Sequence, residues 1–310
     1  MIRAFVLLVL LALNLFVGGT PIALSGLVKL LTWGRARRSV ILAMAWWAEQ
    51  WVGRNNAILD ALLSTRYVVT GIDEEEGTGR LRRGGRYLIL CNHISWIDIF
   101  LVFRVFHDRT AFIRFFMKRE LIWFPIAGQG CWALEFPFMK RYSRAYLEKH
   151  PEKRGQDLET TRIACLRYKS IPVTILNFCE GTRFTRKKRD AQGSPYRNLL
   201  RPRTGGVGFV LASLGDQLDG VIDVTLAYPS TETTILDYLS NRVETIHVHA
   251  KRLDVPKEFF GADVTRQTAV RARLTDWLGA IWQEKDERIE RMRGGGQEED
   301  LPPASSAISA

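Results

Sequence analysis

The longest apolar stretch of the chain lies near its N-terminus, where residues 4–28 form a run of 25 without a charged side chain. About 20 apolar residues cross a bilayer as a helix, so this run predicts a membrane segment. No small-residue cleavage site follows the apolar core, which favours a retained segment over a cleaved signal peptide. The second half of the run carries residues that favour a kink or a hairpin: Gly18, Gly19, Pro21 and Gly26.

An amphipathic helix is predicted directly after this run. Its apolar stripe consists of Val40, Met44, Trp47, Trp51, Ile58 and Leu62. Three arginines stand between the run and the stripe and only Arg3 precedes the run, which predicts that the body of the protein is cytoplasmic. Tryptophans beside arginines suit the lipid headgroup region, although an ordinary helix packed on the core has the same pattern. We assign residues 1–64 to a membrane-anchoring helical segment.

Short apolar runs and helical stripes alternate through the rest of the chain. The predicted strands are residues 67–70, 87–91, 172–178, 221–228 and 243–250. The predicted helices are residues 97–106, 157–168, 207–214 and a C-terminal helix around Leu274, Leu278 and Trp282. This alternation implies an α/β fold, a single layered domain over residues 65–292 with a mixed, largely parallel sheet flanked by helices. Residues 293–310 are rich in Gly, Pro, Ser and acidic residues, which predicts a disordered tail.

The charge balance narrows the class of partner. The chain has 44 basic and 33 acidic residues and a net charge of +11, which favours nucleic acid, anionic lipid or a phosphorylated substrate. The basic runs lack the interleaved aromatic residues typical of nucleic-acid binding, so nucleic acid is not expected. The four cysteines form no C-x-x-C pair, so we expect neither a zinc site nor a disulfide framework.

His93 is the candidate catalytic residue. It follows a predicted buried strand, and Asp98 lies five residues further on. A turn between them would let Asp98 accept a hydrogen bond from one ring nitrogen of His93, which makes the other nitrogen a better base. This pattern alone is weak, because most such histidines are structural hydrogen-bonding residues.

A second polar segment, Glu180-Gly181-Thr182-Arg183, follows another predicted strand. Glycine lets the backbone approach a ligand, and the Thr and Arg side chains are natural phosphate donors. The alternative is a plain turn with a solvated charge. Neither a G-x-S-x-G elbow nor a Walker A loop is present, and His247 and His249 on one strand face lack a third metal ligand nearby.

Together these residues resemble the glycerolipid acyltransferase family, the H-x4-D type that includes the lysophosphatidic acid acyltransferases. Two further blocks occur in the family's order: residues 118–141, with Lys118, Pro125, Gly128 and Arg141, and residues 224–229, an apolar strand that ends in proline. Residues 137–146 and 282–286 are similar to the YihG-like bacterial branch. Phe184 departs from the family, which often has serine there, so a contact to the substrate headgroup is in doubt.

The resemblance implies transfer of an acyl chain from acyl-CoA or acyl carrier protein to the hydroxyl of a lysophospholipid, in the first place the sn-2 hydroxyl of 1-acylglycerol-3-phosphate. It implies no cofactor and no metal. It also implies that the protein binds membrane lipids at the inner membrane, with the catalytic domain on the cytoplasmic side. His93 would be the general base and Asp98 its orienting partner. The implied substrate-binding residues are Lys118, Arg141, Glu180, Gly181, Thr182 and Arg183.

Two alternatives stay open. The first is another lysophospholipid acceptor, and the second is a non-catalytic, membrane-tethered protein that binds anionic lipid. The basic residues of 186–189, with Arg197, Arg201 and Arg203, would hold headgroups or coenzyme A phosphates, or form a solvated loop.

Overall fold

The computed structural model describes residues 2–139, 148–150, 156–262, 264 and 267–294, with the side chains of 156–161 excepted. The predicted tail lies almost wholly outside these residues, and so does Arg141. Two long helices open the chain, α1 (Ile2–Leu30) and α2 (Gly34–Leu62). Among the described helices, α1 alone has the length and apolar composition of a membrane span, a test that a signal sequence or a core helix also passes.

The glycines of α1 are packing positions and do not divide the helix. A hairpin within residues 18–26 is wrong, because α1 is continuous through Pro21. A Cβ on Gly18 would lie 2.4 Å from the Trp51 ring of α2, and one on Gly26 would lie 2.8 Å from the Trp132 ring. The absence of side chains therefore lets α1 pack closely against its neighbours.

A six-stranded sheet forms the centre of the domain. Its strands are β1 (Arg66–Thr70), β2 (Arg86–Cys91), β3 (Ile113–Phe115), β6 (Val173–Phe178), β7 (Gly220–Ala227) and β8 (Thr245–Leu253), in the order β1-β8-β7-β2-β6-β3. All neighbours are parallel except β7 and β8. The mixed, largely parallel sheet expected from the sequence is confirmed. A small parallel pair, β4 (Met117–Lys118) and β5 (Phe138–Met139), lies apart from it.

Helices cover both faces of the sheet. They are α3 (Ile97–Phe106), α4 (Ala127–Ala133), α5 (Gln156–Tyr168), α6 (Arg186–Gln192), α7 (Thr204–Leu214), α8 (Ile235–Leu239) and α9 (Thr268–Arg293). Short 3-10 turns occupy Arg119–Trp123, Gly215–Gln217 and Lys257–Phe259. The helices predicted at 97–106, 157–168 and 207–214 and at the C-terminus are all present.

The core has two layers, one on each face of the sheet. Leu88 and Leu90 of β2 join the layer that contains Leu211 of α7 and Leu278 of α9. The alternate residues of β2 join the other layer, which contains Leu101 of α3. Successive side chains of a strand point to opposite faces, so a strand buried on both faces reads as a continuous apolar run.

The two N-terminal helices contribute to these same layers. Ile22 of α1 and Met44 of α2 pack in the first, and Leu7 of α1 packs in the second. The amphipathic stripe of α2 therefore faces the protein core, and the division of the chain at residue 64 stays a prediction.

Candidate active site

The polar motifs meet at one edge of the sheet. The neighbouring strands β7, β2, β6 and β3 all run in the same direction, so their carboxyl ends lie side by side. His93 stands two residues beyond β2, Glu180 two residues beyond β6, and Tyr228 directly after β7. In open α/β sheets, ligands bind outside the carboxyl ends of the strands.

Asp98 joins His93 to the start of α3. Its Oδ2 atom accepts a hydrogen bond from His93 Nδ1 at 2.7 Å, as the sequence led us to expect. The same oxygen accepts the backbone N–H groups of Ile94 at 2.7 Å and Ser95 at 3.0 Å. These two bonds bend residues 93–96 into the turn that a five-residue separation requires. A carboxylate in the first turn is also stabilised by the positive end of the helix.

Tyr228 completes the surroundings of Asp98. Its hydroxyl donates to Asp98 Oδ1 at 2.5 Å, and both residues are buried. Burial, followed by the charge of Asp98, raises the pKa of Tyr228 well above its ordinary value, so the phenol keeps its proton and acts as a donor. The sequence placed Tyr228 in a motif block but gave it no role. The signal was a tyrosine directly after a buried, largely apolar strand.

The ring of His93 is held on its face as well as at Nδ1. It stacks on the ring of Phe178, the last residue of β6, with a centroid distance of 4.0 Å and an interplanar angle of 16°. The His93 side chain is 15% exposed. Within the part of the chain that the structure describes, Nε2 has no hydrogen-bond partner, so the nitrogen needed for base chemistry is available.

Glu180 anchors the backbone of His93. Its Oε1 accepts the His93 N–H at 3.0 Å and its Oε2 accepts the Leu200 N–H at 2.9 Å. Burial raises the pKa of Glu180 to about 8, against the opposing effect of these two N–H donors. Both of its oxygens are thus occupied and its side chain is fully buried, so the contacts shown are to the backbone, and the assignment of Glu180 to substrate binding stays a prediction.

The rest of this segment faces outward. Gly181 adopts φ +69°, a left-handed conformation that favours glycine, and so turns the chain away from β6. Thr182 Oγ1 accepts from Lys188 Nζ at 2.8 Å, and the Arg183 guanidinium lies 4.5 Å from the centroid of the Trp96 ring. Phe184, the departure from the family pattern, is buried, and its N–H donates to the His93 carbonyl at 2.7 Å.

A groove of about 540 Å³ lies beside the His93 turn. It is lined by residues 94–96, by residues 183–188 and by residues 231–235. Three cations of the predicted basic run, Arg186, Lys187 and Lys188, therefore face this groove. The cationic side chains in its lining suit an anionic group, and one of them, Arg186, also lies 3.7 Å from Glu232.

The other basic residues have local partners. Arg189 pairs with Asp190 at 2.7 Å, Arg197 pairs with Glu290 at 2.7 Å, and Arg201 donates to the Gly193 carbonyl at 2.6 Å. A Cβ on Gly181 would lie 3.2 Å from the side chain of Arg203, so that arginine packs on the turn after β6. These four stabilise the loop that they lie in.

Lys118 ends β4, three residues beyond the end of β3, and its side chain is exposed. It therefore lies towards the same sheet edge as His93, without a described contact to it. His247 and His249 belong to β8, and His249 Nδ1 lies 2.9 Å from Thr70 Oγ1. Burial lowers the pKa of His249 to about 4, so it is neutral at physiological pH.

One cluster of described residues has ligand atoms close enough to share a cation. It consists of Glu49, His107 and Asp108, at the far end of α3 from His93. Arg83 already pairs with Asp108 at 2.7 Å. The cluster has no part in the site.

Polar residues of the C-terminal helix α9 stabilise the strands and the loop next to the site. Lys285 of α9 is fully buried, pairs with Asp223 of β7 at 2.7 Å and donates to the Leu90 carbonyl of β2 at 3.4 Å. Asp286 accepts the N–H groups of Arg197 and Asn198, each at 2.7 Å. The same loop carries Leu200, the donor to Glu180, so α9 fixes the loop that fixes the Glu180 carboxyl group.

Comparison with known proteins shows what this arrangement is similar to. The model of the Acyltransferase family matches residues 74–229. Lysocardiolipin acyltransferase 1 of Danio rerio is 29% identical over 267 residues, which cover 78% of this chain and 59% of that protein. The 1-acyl-sn-glycerol-3-phosphate acyltransferase delta of Mus musculus is 29% identical over 213 residues, 64% of this chain and 51% of that protein. The chain thus spans about half to three fifths of the length of these relatives.

A solved structure has the same fold. The crystal structure of the 1-acyl-sn-glycerophosphate acyltransferase PlsC from Thermotoga maritima superposes with a TM-score of 0.50, over 96% of this chain and 100% of that one, at 15% sequence identity. At this level of identity the likeness establishes the fold and not the substrate.

Proposed function

The chain belongs to the Acyltransferase family, and from that premise we propose that it transfers a fatty acyl chain from acyl-CoA or acyl carrier protein to the free hydroxyl of a lysophospholipid. One observation carries the proposal: the 2.7 Å hydrogen bond between His93 Nδ1 and Asp98, at the carboxyl edge of the sheet. A donor proton on Nδ1 leaves the lone pair of Nε2 to act as a base.

The reaction needs no acyl-enzyme. Nε2 of His93 takes the proton of the acceptor hydroxyl as that oxygen attacks the thioester carbonyl. The tetrahedral intermediate then expels the thiolate, which receives the proton back from His93. The products are the diacyl lipid and the free thiol of the donor. Asp98 stabilises the imidazolium that forms between these two steps.

The acceptor that we propose first is 1-acylglycerol-3-phosphate, acylated at sn-2. Its phosphate suits Arg183 and Thr182 beside the groove, with Lys118 at the same edge of the sheet. Arg141 is proposed for the same role from the family resemblance alone. Lysocardiolipin, the acceptor in the name of the Danio rerio relative, is the competing anionic acceptor. Assignment to the YihG-like branch stays a proposal as well.

We further propose that α1 lies within one leaflet of the inner membrane, with the catalytic edge on the cytoplasmic side. Near the middle of α1, Asn14 donates to Asn55 of α2 at 2.8 Å and accepts from Arg54 at 3.0 Å. A helix that crossed the bilayer would carry these α2 side chains into the hydrocarbon centre, where an arginine is costly. A helix parallel to the surface leaves them at headgroup level.

The test is an activity matrix on the purified full chain. Lysophosphatidate, lysophosphatidylglycerol and lysocardiolipin are each offered with acyl-CoA and with acyl carrier protein donors, and radiolabelled diacyl product is measured. We expect turnover with at least one anionic acceptor and the highest kcat/KM with lysophosphatidate. Salt-sensitive vesicle binding without turnover for any pair would instead favour the non-catalytic lipid-binding protein.

A further inference from the structure

A turn of exposed apolar side chains lies beside the proposed site without a role in it. The 3-10 turn Arg119–Trp123 and Phe124, together called the aromatic turn below, expose Leu121, Trp123 and Phe124 by 38%, 82% and 59%. Neighbouring large apolar side chains with this much exposure mark a contact surface. The acyl-transfer chemistry proposed above does not use them.

Hydrogen bonds hold the backbone of the aromatic turn. The Phe124 N–H donates to the Leu121 carbonyl at 3.1 Å, and the Gln129 side chain donates to the Ile122 carbonyl at 2.9 Å. A Cβ on Gly128 would lie 2.3 Å from the Leu121 carbonyl oxygen, so α4 can approach the turn only because residue 128 is glycine. These contacts hold the backbone of the turn in a conformation that leaves Leu121, Trp123 and Phe124 exposed.

This turn is attached to the apolar helix α1. A Cβ on Gly19 would lie 2.7 Å from the side chain of Ile126, which connects the turn to α4. At the end of α1, Lys29 Nζ donates to the Ala133 carbonyl at 2.9 Å and pairs with Glu135 at 3.1 Å. The helix exposes large apolar side chains of its own, including Phe5, Leu13, Phe16, Leu24 and Leu27. The turn and α1 thus belong to one packed unit.

Charge indicates the kind of surface that covers the turn. Lys118 and Arg119 precede the apolar residues directly and are exposed, with Glu120 the one acidic residue among them. Tryptophan and basic side chains together favour the boundary between anionic headgroups and acyl chains. Lys118 also connects the turn to the sheet edge where His93 lies.

We propose that the aromatic turn inserts into the headgroup region of an anionic bilayer as a second contact beside α1, and so holds the catalytic edge of the sheet against the lipid. The choice of a lipid surface as the occupant rests on the function proposed above. The turn itself is identified by its exposure, its hydrogen-bonded backbone and its charge.

Fluorescence of the full chain on vesicles tests the insertion. Vesicles of phosphatidylcholine and phosphatidylglycerol carry a nitroxide at a shallow acyl position, and emission is compared between the wild type and Trp123→Phe. The emission that this substitution removes should be quenched by the nitroxide and shielded from aqueous iodide. Trp277→Phe is the matched control, because Trp277 packs against Phe259 at a centroid distance of 5.8 Å, away from the turn.

Kinetics test the consequence. The double variant Trp123→Ser/Phe124→Ser should lose about tenfold or more in turnover on a long-chain acceptor in vesicles, since two aromatic side chains no longer enter the lipid. On a short-chain acceptor dissolved as monomers it should match the wild type. Leu166→Ser is the control, because Leu166 is 46% exposed near the end of α5, where the chain approaches the opposite edge of the sheet.

Emission of Trp123 that is quenched by iodide and not by the nitroxide would overturn the proposal and point to a protein partner. The proposal would also be overturned if the double variant matched the wild type in turnover of the long-chain acceptor in vesicles. If the wild type acylates no acceptor, the proposed function fails, and the fluorescence measurement still decides whether the turn enters lipid.

Discussion

At the residue scale, Asp98 shows how one buried side chain serves structure and chemistry together. Its Oδ2 atom accepts the backbone N–H groups of Ile94 and Ser95, in the turn before α3, and also accepts from His93 Nδ1. Tyr228 holds its other oxygen. The ring of His93 is therefore oriented by the same side chain that shapes the turn.

Tyr228→Phe tests this arrangement. The substitution leaves Asp98 Oδ1 buried without its donor, so we expect a loss of about 1–3 kcal/mol in the free energy of unfolding and about tenfold in kcat/KM. Urea denaturation and steady-state kinetics measure the two effects. Tyr238→Phe is the control: Tyr238 is also buried, but its hydroxyl lies 2.6 Å from that of Tyr67, so only stability should fall. Equal effects of the two variants on activity would contradict the role of Tyr228.

Glu180 gives a pH-dependent prediction. Its folded-state pKa of about 8 is raised above the ordinary value of 4.5, so between these pH values the folded state keeps a proton that the unfolded state has lost. The contribution of Glu180 to the free energy of unfolding should therefore fall as pH rises from about 4.5 to about 8. Unfolding of the wild type and of Glu180→Gln is measured across this range. If the free energy of unfolding of the wild type minus that of Glu180→Gln rose with pH, the assigned direction would be contradicted.

Part of this site was predictable from the sequence. The pair His93 and Asp98 was predictable because the turn between them is local and the pattern is short. The contacts of Tyr228 and Phe178 were not, since they come from strands far apart in the chain, and which strands become neighbours is decided by the sheet order. The contacts of Glu180 to the backbone of His93 and Leu200 were not predictable either, because a motif position does not reveal which face of the turn is buried.

At the scale of elements, α9 controls the loop that carries Leu200. Asp286 accepts two N–H groups of this loop, at Arg197 and Asn198. The helix was predicted from its apolar stripe, but its polar contacts lie between stripe positions and have no periodic signal. The reversal between β7 and β8 was likewise absent from the predictions, because the alternation of β8 identifies a strand and not its direction.

Asp286→Asn tests the support that α9 gives. An amide offers one oxygen where the carboxylate offers two, so one loop N–H loses its acceptor and the free energy of unfolding should fall by about 1–3 kcal/mol. Hydrogen exchange at the amides of Arg197, Asn198 and Leu200 should become faster. Asp276→Asn, an exposed position on the same helix, is the control and should change neither quantity. Unchanged exchange at Leu200 in the Asp286 variant would show that the loop is held by other contacts.

At the scale of the whole molecule, α1 and α2 form one helical unit with the domain. The apolar run was predicted as a membrane segment, and its packing against polar side chains of α2 leads to the proposed position in one leaflet. The sequence alone does not settle whether the run spans the bilayer or inserts into one leaflet, because length and composition are the same for both.

This position predicts the topology of the protein in cells. Reporter tags placed before residue 2 and after residue 294 should be accessible from the same, cytoplasmic side of the membrane. Protease digestion of sealed inside-out vesicles should therefore remove both tags. Protection of the first tag with cleavage of the second would show that α1 crosses the bilayer.

The central claim, that His93 is the general base, is tested most directly by the kcat/KM of His93→Ala with the best acceptor of the activity matrix. The backbone bonds of residue 93 to Glu180 and Phe184 do not involve the ring, so the variant should fold, with a thermal midpoint close to that of the wild type. We predict a loss of about 10²–10⁴-fold in kcat/KM. A folded His93→Ala protein with full activity would contradict the account.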